Sequence, residues 1–280
     1  MLKQKDIITS RQNPTVKRIC ALAEKKERRA QGLFRFDGIK LFCEAVQRGL
    51  DIKYAVIREN VSEDILRRVE SAIAGGRLSE GAVARVSESV FEKISEERAP
   101  EGIVTVAALM PQKHRMLSAE DAAKYCARKD EKLLIAESLR DPGNLGTVIR
   151  SCAALGIDRL LISDDCADIY SPKVIRAAMG GLFALEIDTV PASALAHAII
   201  SLRRGGRRIY ATALHAQARQ IGSFALESGD CFLIGNEGHG LSGDVIDACD
   251  ACALIPMTNG SESLNAAAAA AICIWETVRS

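Results

Sequence analysis

The sequence predicts an α/β protein in two parts. A small basic α/β domain over residues 1–108 is followed, after a linker at 109–129, by a larger domain over 130–280 built on a mostly parallel sheet. Three observations predict this. From Lys132 onward, apolar β-type runs (KLLIAES, DRLLIS, FALEID, RIYATAL, CFLIG, ALIPM) alternate with helical segments such as GNLGTVIRSCAALG and ASALAHAIISLRR. Strands that are apolar on both faces belong to sheets covered on both sides. Before Met110 the charge differs: residues 1–110 hold 20 Lys and Arg against 16 Asp and Glu, and residues 3–40 alone hold 11 against 4. With 280 residues, 48% hydrophobic and 26% charged, the chain is long enough for two cores, and its composition is neither fibrous nor disordered.

In the first part, Pro14 opens a helix whose apolar positions Val16, Ile19, Leu22 and Ala23 share a face, with the cations mostly off it. This basic amphipathic helix suits a polyanion, with Arg11, Lys17, Arg18, Arg28, Arg29 and Lys40 as candidate contacts; the plain alternative is a solvated face. A short strand around Phe34 and Phe36 follows, then a helix from about Gly38 to Arg48 stopped by Gly49, and a strand at 54–57. A helix at 62–73, a strand at 82–86, a helix at 87–94 and a strand at 102–108 complete this part. Pro111 and a polar run mark the boundary.

The N-terminus MLKQKDIITSRQ is charged without an apolar core, and no 18-residue apolar run occurs, so neither a signal peptide nor a membrane span is expected and the cytoplasm is the expected location. Nine cysteines, an odd number in apolar contexts, read as reduced buried thiols. Cys249 and Cys252 form a CxxC without a second pair, whereas a structural zinc site wants about four ligands, so no metal is expected.

Ligands of parallel sheets sit outside the carboxyl ends of the strands, which directs attention to three loops. The first, SLRDPGNLGTVIRSCAALG, places Asp141-Pro142-Gly143 as a turn, Asn144 near a helix start, and Arg150 about two turns on in an otherwise apolar stretch. A charge there faces a partner or snorkels to solvent. The second, CFLIGNEGHGLSGDVI, carries Gly235, Gly238 and Gly240, which let backbone approach a ligand closely, and Ser242, which can cap the next helix. Neither GxGxxG nor GxxxxGK[ST] is present and Glu237 would repel a phosphate, so an uncharged or cationic ligand suits this loop. The third lies in the last 27 residues, ALIPMTNGSESLNAAAAAAICIWETVR. Ser261, Ser263 and Asn265 offer polar groups, Ile255, Met257 and Leu264 an apolar wall, and Ser263 or Asn265 can cap an alanine-rich helix. The six alanines at 266–271 leave so little bulk that another element must pack closely against them.

The segments NLGTVIRSCAALG, IGNEGHGLS and IPMTNGSESLNAAAAA resemble, in that order, the three motifs of the SpoU/TrmH branch of the SPOUT-class RNA methyltransferases. The basic domain in front resembles the ribosomal-protein-like substrate-binding domain common in that branch. The resemblance implies a SPOUT domain with a deep trefoil knot, S-adenosylmethionine as cofactor, a homodimer, and methyl transfer to a ribose 2′-hydroxyl of RNA. Ribosomal RNA is favoured as substrate, with transfer RNA or a non-catalytic RNA-binding role as alternatives. Asn144, Arg150, Glu237, Ser263 and Asn265 match the catalytic positions. Thr212, Leu214, Gly235, Asn236, Gly240, Ile255, Met257 and Leu264 match those around the donor. One departure is visible: Ser151-Cys152 stands where the family usually has Thr-Ala. A doubly wound nucleotide enzyme would need a Gly-rich turn after the first strand, and the turn here is DPGN.

Overall fold

The computed structural model describes residues 6–125, 128–236, 238–258 and 264–279. Its contacts fall into two compact units, Met1–Leu109 with Tyr170–Phe183, and Met110–Ile169 with Ala184–Ser280.

The first unit contains β1 (Ile7–Ile8), α1 (Pro14–Ala21), α2 (Lys25–Gln31), β2 (Leu33–Asp37), α3 (Ile39–Gln47), β3 (Ile52–Arg58), α4 (Glu63–Ala74), β4 (Val83–Val86), α5 (Glu88–Ile94) and β5 (Ile103–Ala108). The strands lie in the order β1-β4-β3-β5-β2. β4 pairs parallel to β1 and β3, and β5 pairs antiparallel to β2 and β3. The single basic helix expected after Pro14 is two helices. Asn13 caps α1 by accepting from the Thr15 N–H at 2.8 Å, and the helix ends at Ala21. The break is held by Arg28, whose guanidinium donates to the Leu22 and Ala23 carbonyls at 2.7 and 2.5 Å, groups that a helix end leaves without partners. Val16, Ile19 and Leu22 then reach a core with Val56, Phe91, Val104 and Val106.

The second unit begins with β6 (His114–Met116) and α6 (Ala119–Tyr125), so the stretch expected as a linker supplies two elements. Then follow β7 (Leu133–Ala136), α7 (Pro142–Leu155) and β8 (Arg159–Ser163). The short helices α8 (Pro172–Ala178) and α9 (Gly181–Ala184) follow; residues 170–183 count with the first unit, where Tyr170 and Phe183 stack on Phe34 and Phe36 with ring centroids 4.8 and 5.3 Å apart. The chain resumes with β9 (Glu186–Val190), α10 (Leu195–Arg204), β10 (Ile209–Thr212), β11 (Arg219–Gln220), β12 (Cys231–Ile234), α11 (Gly243–Ala248), β13 (Ala251–Leu254) and α12 (Ala266–Arg279). Two expected strands shift: Phe183 belongs to α9 rather than to the strand after it, and the last strand ends at Leu254, ahead of Pro256.

The eight strands run in the order β11-β13-β10-β12-β7-β8-β9-β6, and every pairing is parallel. Leu133, Ile135, Leu161, Ile199 and Leu233 form its core. At the amino ends, the fully buried Asp188 accepts from Arg115 and Arg159, each at 2.7 Å, which ties β6, β8 and β9 together. The sheet order reverses at β7, flanked by β8 and β12, and such a switch point opens a crevice at the carboxyl ends.

Candidate active site

The first loop is built from β7 into α7. Directly after the strand, Glu137 accepts from the Ser242 N–H and hydroxyl at 2.9 and 2.6 Å, so its buried carboxylate closes the N-terminus of α11 from a neighbouring strand. Sequence reasoning passed over Glu137; an acid immediately following an apolar strand was its only signal. Ser138 has a left-handed backbone (φ 54°) and its hydroxyl donates to Asp165 at 2.6 Å. Asp165 also accepts from Ser163 and Arg140 at 2.7 and 2.9 Å. Partial burial pushes the Asp165 carboxyl up, but the two hydroxyls and the guanidinium outweigh it and hold the group below the usual carboxylate range.

Asp141 caps α7 by accepting from the Asn144 N–H at 2.7 Å, with Pro142 at the first helical position. Leu145, Val148, Ile149 and Cys152 turn into the core, which leaves Thr147 and Arg150 on the opposite, exposed face. Arg150 makes no hydrogen bond or ion pair among the described residues.

In the second loop, Gly235 lies against Gly240. A Cβ at residue 235 would stand 2.6 Å from the Gly240 carbonyl carbon and 2.8 Å from the Leu241 nitrogen. The approach is closed by a pair of backbone hydrogen bonds, Asn236 N–H to Gly240 O at 3.2 Å and Gly240 N–H to Asn236 O at 2.9 Å, with Gly240 at φ +67°. The Asn236 side chain donates to Ser138 O at 2.9 Å, which fastens the second loop to the first. Glu237 lies outside the described residues.

In the third loop, Asn265 caps α12, its Oδ1 accepting from the Ala267 and Ala268 N–H groups at 3.0 and 3.2 Å. Its Nδ2 donates to Asn144 Oδ1 at 2.9 Å, bringing the first and third motifs into contact. The bare alanine face of α12 packs on α7 and β12. Ser261 and Ser263 lie outside the described residues.

A cavity of about 460 Å³ opens at the carboxyl ends of β10, β12 and β13. Thr212, Leu214, Gly235, Asn236, Gly240, Ile255, Met257 and Leu264 all line it. Its volume falls within the roughly 300–1,000 Å³ of small-molecule sites. Apolar side chains and strand-end backbone dominate its wall, a lining that suits a largely uncharged or cationic small molecule. Arg150, Asn144 and Asn265 are not among the lining residues; Asn265 stands between the lining Leu264 and Ala266 and bonds Asn144.

Of the candidate polyanion contacts, Lys17, Arg18, Arg29 and Lys40 are exposed, their side chains without partners among the described residues. Arg11 is exposed and donates to Ser89 O at 2.9 Å. Arg28 is a correction: only 4% exposed and spent on the end of α1, it cannot reach a ligand. Burial, followed by the nearby Asp250 charge, pushes the Cys249 thiol up to about 12. No group of three or more His, Cys, Asp or Glu is placed to hold a metal ion among the described residues.

A parallel sheet with a largely apolar cavity at its carboxyl ends, an amide pair next to it and an exposed arginine on the adjoining helix is the arrangement of an α/β protein that binds a small molecule at its strand ends. Comparison with known proteins makes the class particular. Residues 131–275 match the SpoU rRNA Methylase family, and residues 13–105 match the MRM3-like substrate binding domain. The chain belongs to the SpoU rRNA methylase family. It is 30% identical over 273 residues to a 23S rRNA guanosine 2′-O-methyltransferase of Bacillus subtilis, covering 96% of this chain and 97% of that protein. A 23S rRNA uridine 2′-O-methyltransferase of Streptomyces viridochromogenes is 29% identical over 92% of this chain and 86% of its own. Among solved structures, an AdoMet-bound rRNA methyltransferase from Sinorhizobium meliloti superposes with a TM-score of 0.82 at 29% identity, covering 98% of this chain and 97% of that one.

Proposed function

We propose that this protein transfers the methyl group of S-adenosylmethionine to a ribose 2′-hydroxyl of ribosomal RNA. The observation that carries the reading is the convergence of all eight expected donor positions on one cavity, beside the Asn265–Asn144 hydrogen bond. The relatives' names, 23S rRNA 2′-O-methyltransferases, support the substrate class.

When bound, the cofactor supplies a methyl group activated on a sulfonium. The chain's own residues must then align a poor nucleophile and manage its proton. Arg150 keeps its proton, since a guanidinium has a pKa above about 12. Its role is to grip the phosphate beside the target ribose with a planar fork and so orient the hydroxyl. The proton of the attacking hydroxyl would pass to that phosphate or to Glu237 as the methyl group is accepted. Asn144 and Asn265 hold the ribose at the cavity edge.

The exposed cations Lys17, Arg18, Arg29 and Lys40 give the first unit its role as the RNA-holding domain, in line with its family match. A homodimer is supported by α12, where Ala268 and Trp275 are exposed and Ala271 and Ile272 half-buried, an apolar stripe at helical spacing. Arg150 does not line the cavity, so it acts on the RNA strand rather than on the donor. The knot expected from the resemblance belongs to the same reading, with α12 returning onto α7 and β12. No described helix is long and apolar enough to cross a membrane, which accords with action in the cytoplasm.

The test is incubation with labelled S-adenosylmethionine and total RNA lacking the modification, followed by mapping of label by RNA size class and by ribose against base. Label on a 2′-O-methyl nucleotide of large ribosomal RNA is expected. Label on a base, or only in transfer RNA, overturns the reading.

A further inference from the structure

The geometry points to Arg140 as a second phosphate-gripping residue of this active site, acting on the same RNA strand as Arg150. The inference rests on the reading of the protein as an RNA methyltransferase. Arg140 lies between β7 and α7, directly ahead of the Asp141 cap. Its side chain is 67% exposed, and only Nη2 is engaged, donating to Asp165 Oδ2 at 2.9 Å. A guanidinium carries five N–H donors, so most of its fork remains open among the described residues.

The support beneath it is more elaborate than a surface ion pair requires. Asp165 also accepts from the hydroxyls of Ser138 and Ser163, which fix its carboxylate in place, and an ion pair to so exposed an arginine adds little stability. What the contact does accomplish is to fix the direction of a long side chain. The same Ser138 offers its carbonyl to Asn236 of the donor cavity, so the anchor of Arg140 is braced to the wall of that cavity. From Pro142 to Arg150, α7 rises about 12 Å, the axial rise of roughly three to four nucleotides at ~3.4 Å each. Two guanidiniums near opposite ends of that span suit separate phosphates of one strand flanking the target ribose. The chemical class recognised is the phosphodiester of an RNA strand, and Arg140 is a positioning residue for the acceptor.

The experiment compares wild type, Arg140→Ala, Arg140→Lys and Asp165→Asn on unmodified large-subunit ribosomal RNA made by transcription. KM for RNA, kcat, the salt dependence of RNA binding and the Kd for S-adenosylmethionine are measured for each. Arg140→Ala is expected to raise KM for RNA about 3- to 10-fold and to lower the slope of log K against log salt by about 0.7. The donor Kd and the melting temperature stay at wild-type values. Arg140→Lys is expected to keep the salt slope while losing part of the affinity, and Asp165→Asn to lie between wild type and Arg140→Ala. Unchanged RNA affinity and salt slope in Arg140→Ala overturn the assignment, as does a loss explained by a weakened donor Kd or a lowered melting temperature. If wild type binds donor and RNA but transfers no methyl group, the methyltransferase reading fails, and the salt slope still decides whether Arg140 holds phosphate.

Discussion

Gly235→Ala is the substitution whose effect follows most directly from the packing of the second loop. The new Cβ would meet the Gly240 carbonyl carbon at 2.6 Å, whereas ordinary contact begins at 3.4 Å, so the two backbones must part by about 0.8 Å. Both partners are main chain, and no rotamer change relieves the clash. Parting them breaks the reciprocal hydrogen bonds of Asn236 and Gly240, and with them the form of the cavity wall. A donor that loses one well-made hydrogen bond in such a site forfeits about 1–3 kcal/mol, or roughly 5- to 150-fold in Kd. The fold itself should lose about 1–3 kcal/mol to overpacking, seen as a melting temperature lower by a few degrees. Calorimetric titration with S-adenosylmethionine reads the first effect and thermal unfolding the second. Gly243→Ala is the control: nothing lies within 4 Å of its Cβ, and as the first residue of α11 it tolerates alanine. A donor Kd for Gly235→Ala within about twofold of wild type would refute the reasoning, because the cavity would then not depend on the close approach that shapes it.

Four further outcomes are expected. Arg150→Ala should lower kcat at least about 100-fold in a methyl-transfer assay with the donor Kd unchanged, and Arg150→Lys should recover little of it, since a point charge lacks the planar fork. Asn265→Ala should cost about 1 kcal/mol through loss of the α12 cap, while Asn265→Asp keeps the cap acceptor and loses the donor to Asn144, so it should melt near wild type with reduced kcat. Trp275→Glu, at a side chain 56% exposed on α12, should sediment as a monomer and lose activity. Alkylation of the native protein at pH 8, followed by mass spectrometry, should mark the half-buried Cys20 and Cys43 well before Cys152 and Cys273, whose thiols burial pushes far up, because only the thiolate reacts.

Where a residue type leaves one physical solution, the sequence was readable. Apolar runs such as LLIA and RLLIS, too short for buried helices and alternating with helical segments, read as strands buried on both faces of a mostly parallel sheet. Gly235 and Gly240 marked a close backbone approach because no other residue permits one. Where two solutions compete, the sequence was silent. Arg28 lies off the apolar stripe and reads as a cation open to a polyanion, yet the chain breaks at Leu22, and the helix-end carbonyls draw the guanidinium inward. The strand His114–Met116 is three residues long with no alternation, so only its pairing with β9 defines it. Tyr170 and Phe183 read as part of the second domain by position. Ring packing on Phe34 and Phe36, which no local pattern encodes, assigns them to the first unit. Glu137 was missed for the same reason: its partner, Ser242, lies 105 residues away.

The arrangement of charge around the cavity has its own logic. Among the described residues lining it there is no Lys, Arg, Asp or Glu, and His239 is the sole titratable side chain. A sulfonium donor carries a positive charge at the reacting centre, so a guanidinium within that wall would raise the cost of binding it. An anionic RNA strand makes the opposite demand and needs fixed cations close by. On the proposed reading the two demands are met together: Arg150 on the polar face of α7 and Arg140 just ahead of that helix remain exposed, while Leu145, Val148 and Ile149 seal the protein side. The hydrogen bonds of Asn236 to Ser138 and of Asn265 to Asn144 then hold the uncharged cavity and the charged helix in one register. On the proposed reading, moving either arginine into the cavity would improve the grip on RNA only by weakening the hold on the donor, which accounts for the separation of the two sets of groups.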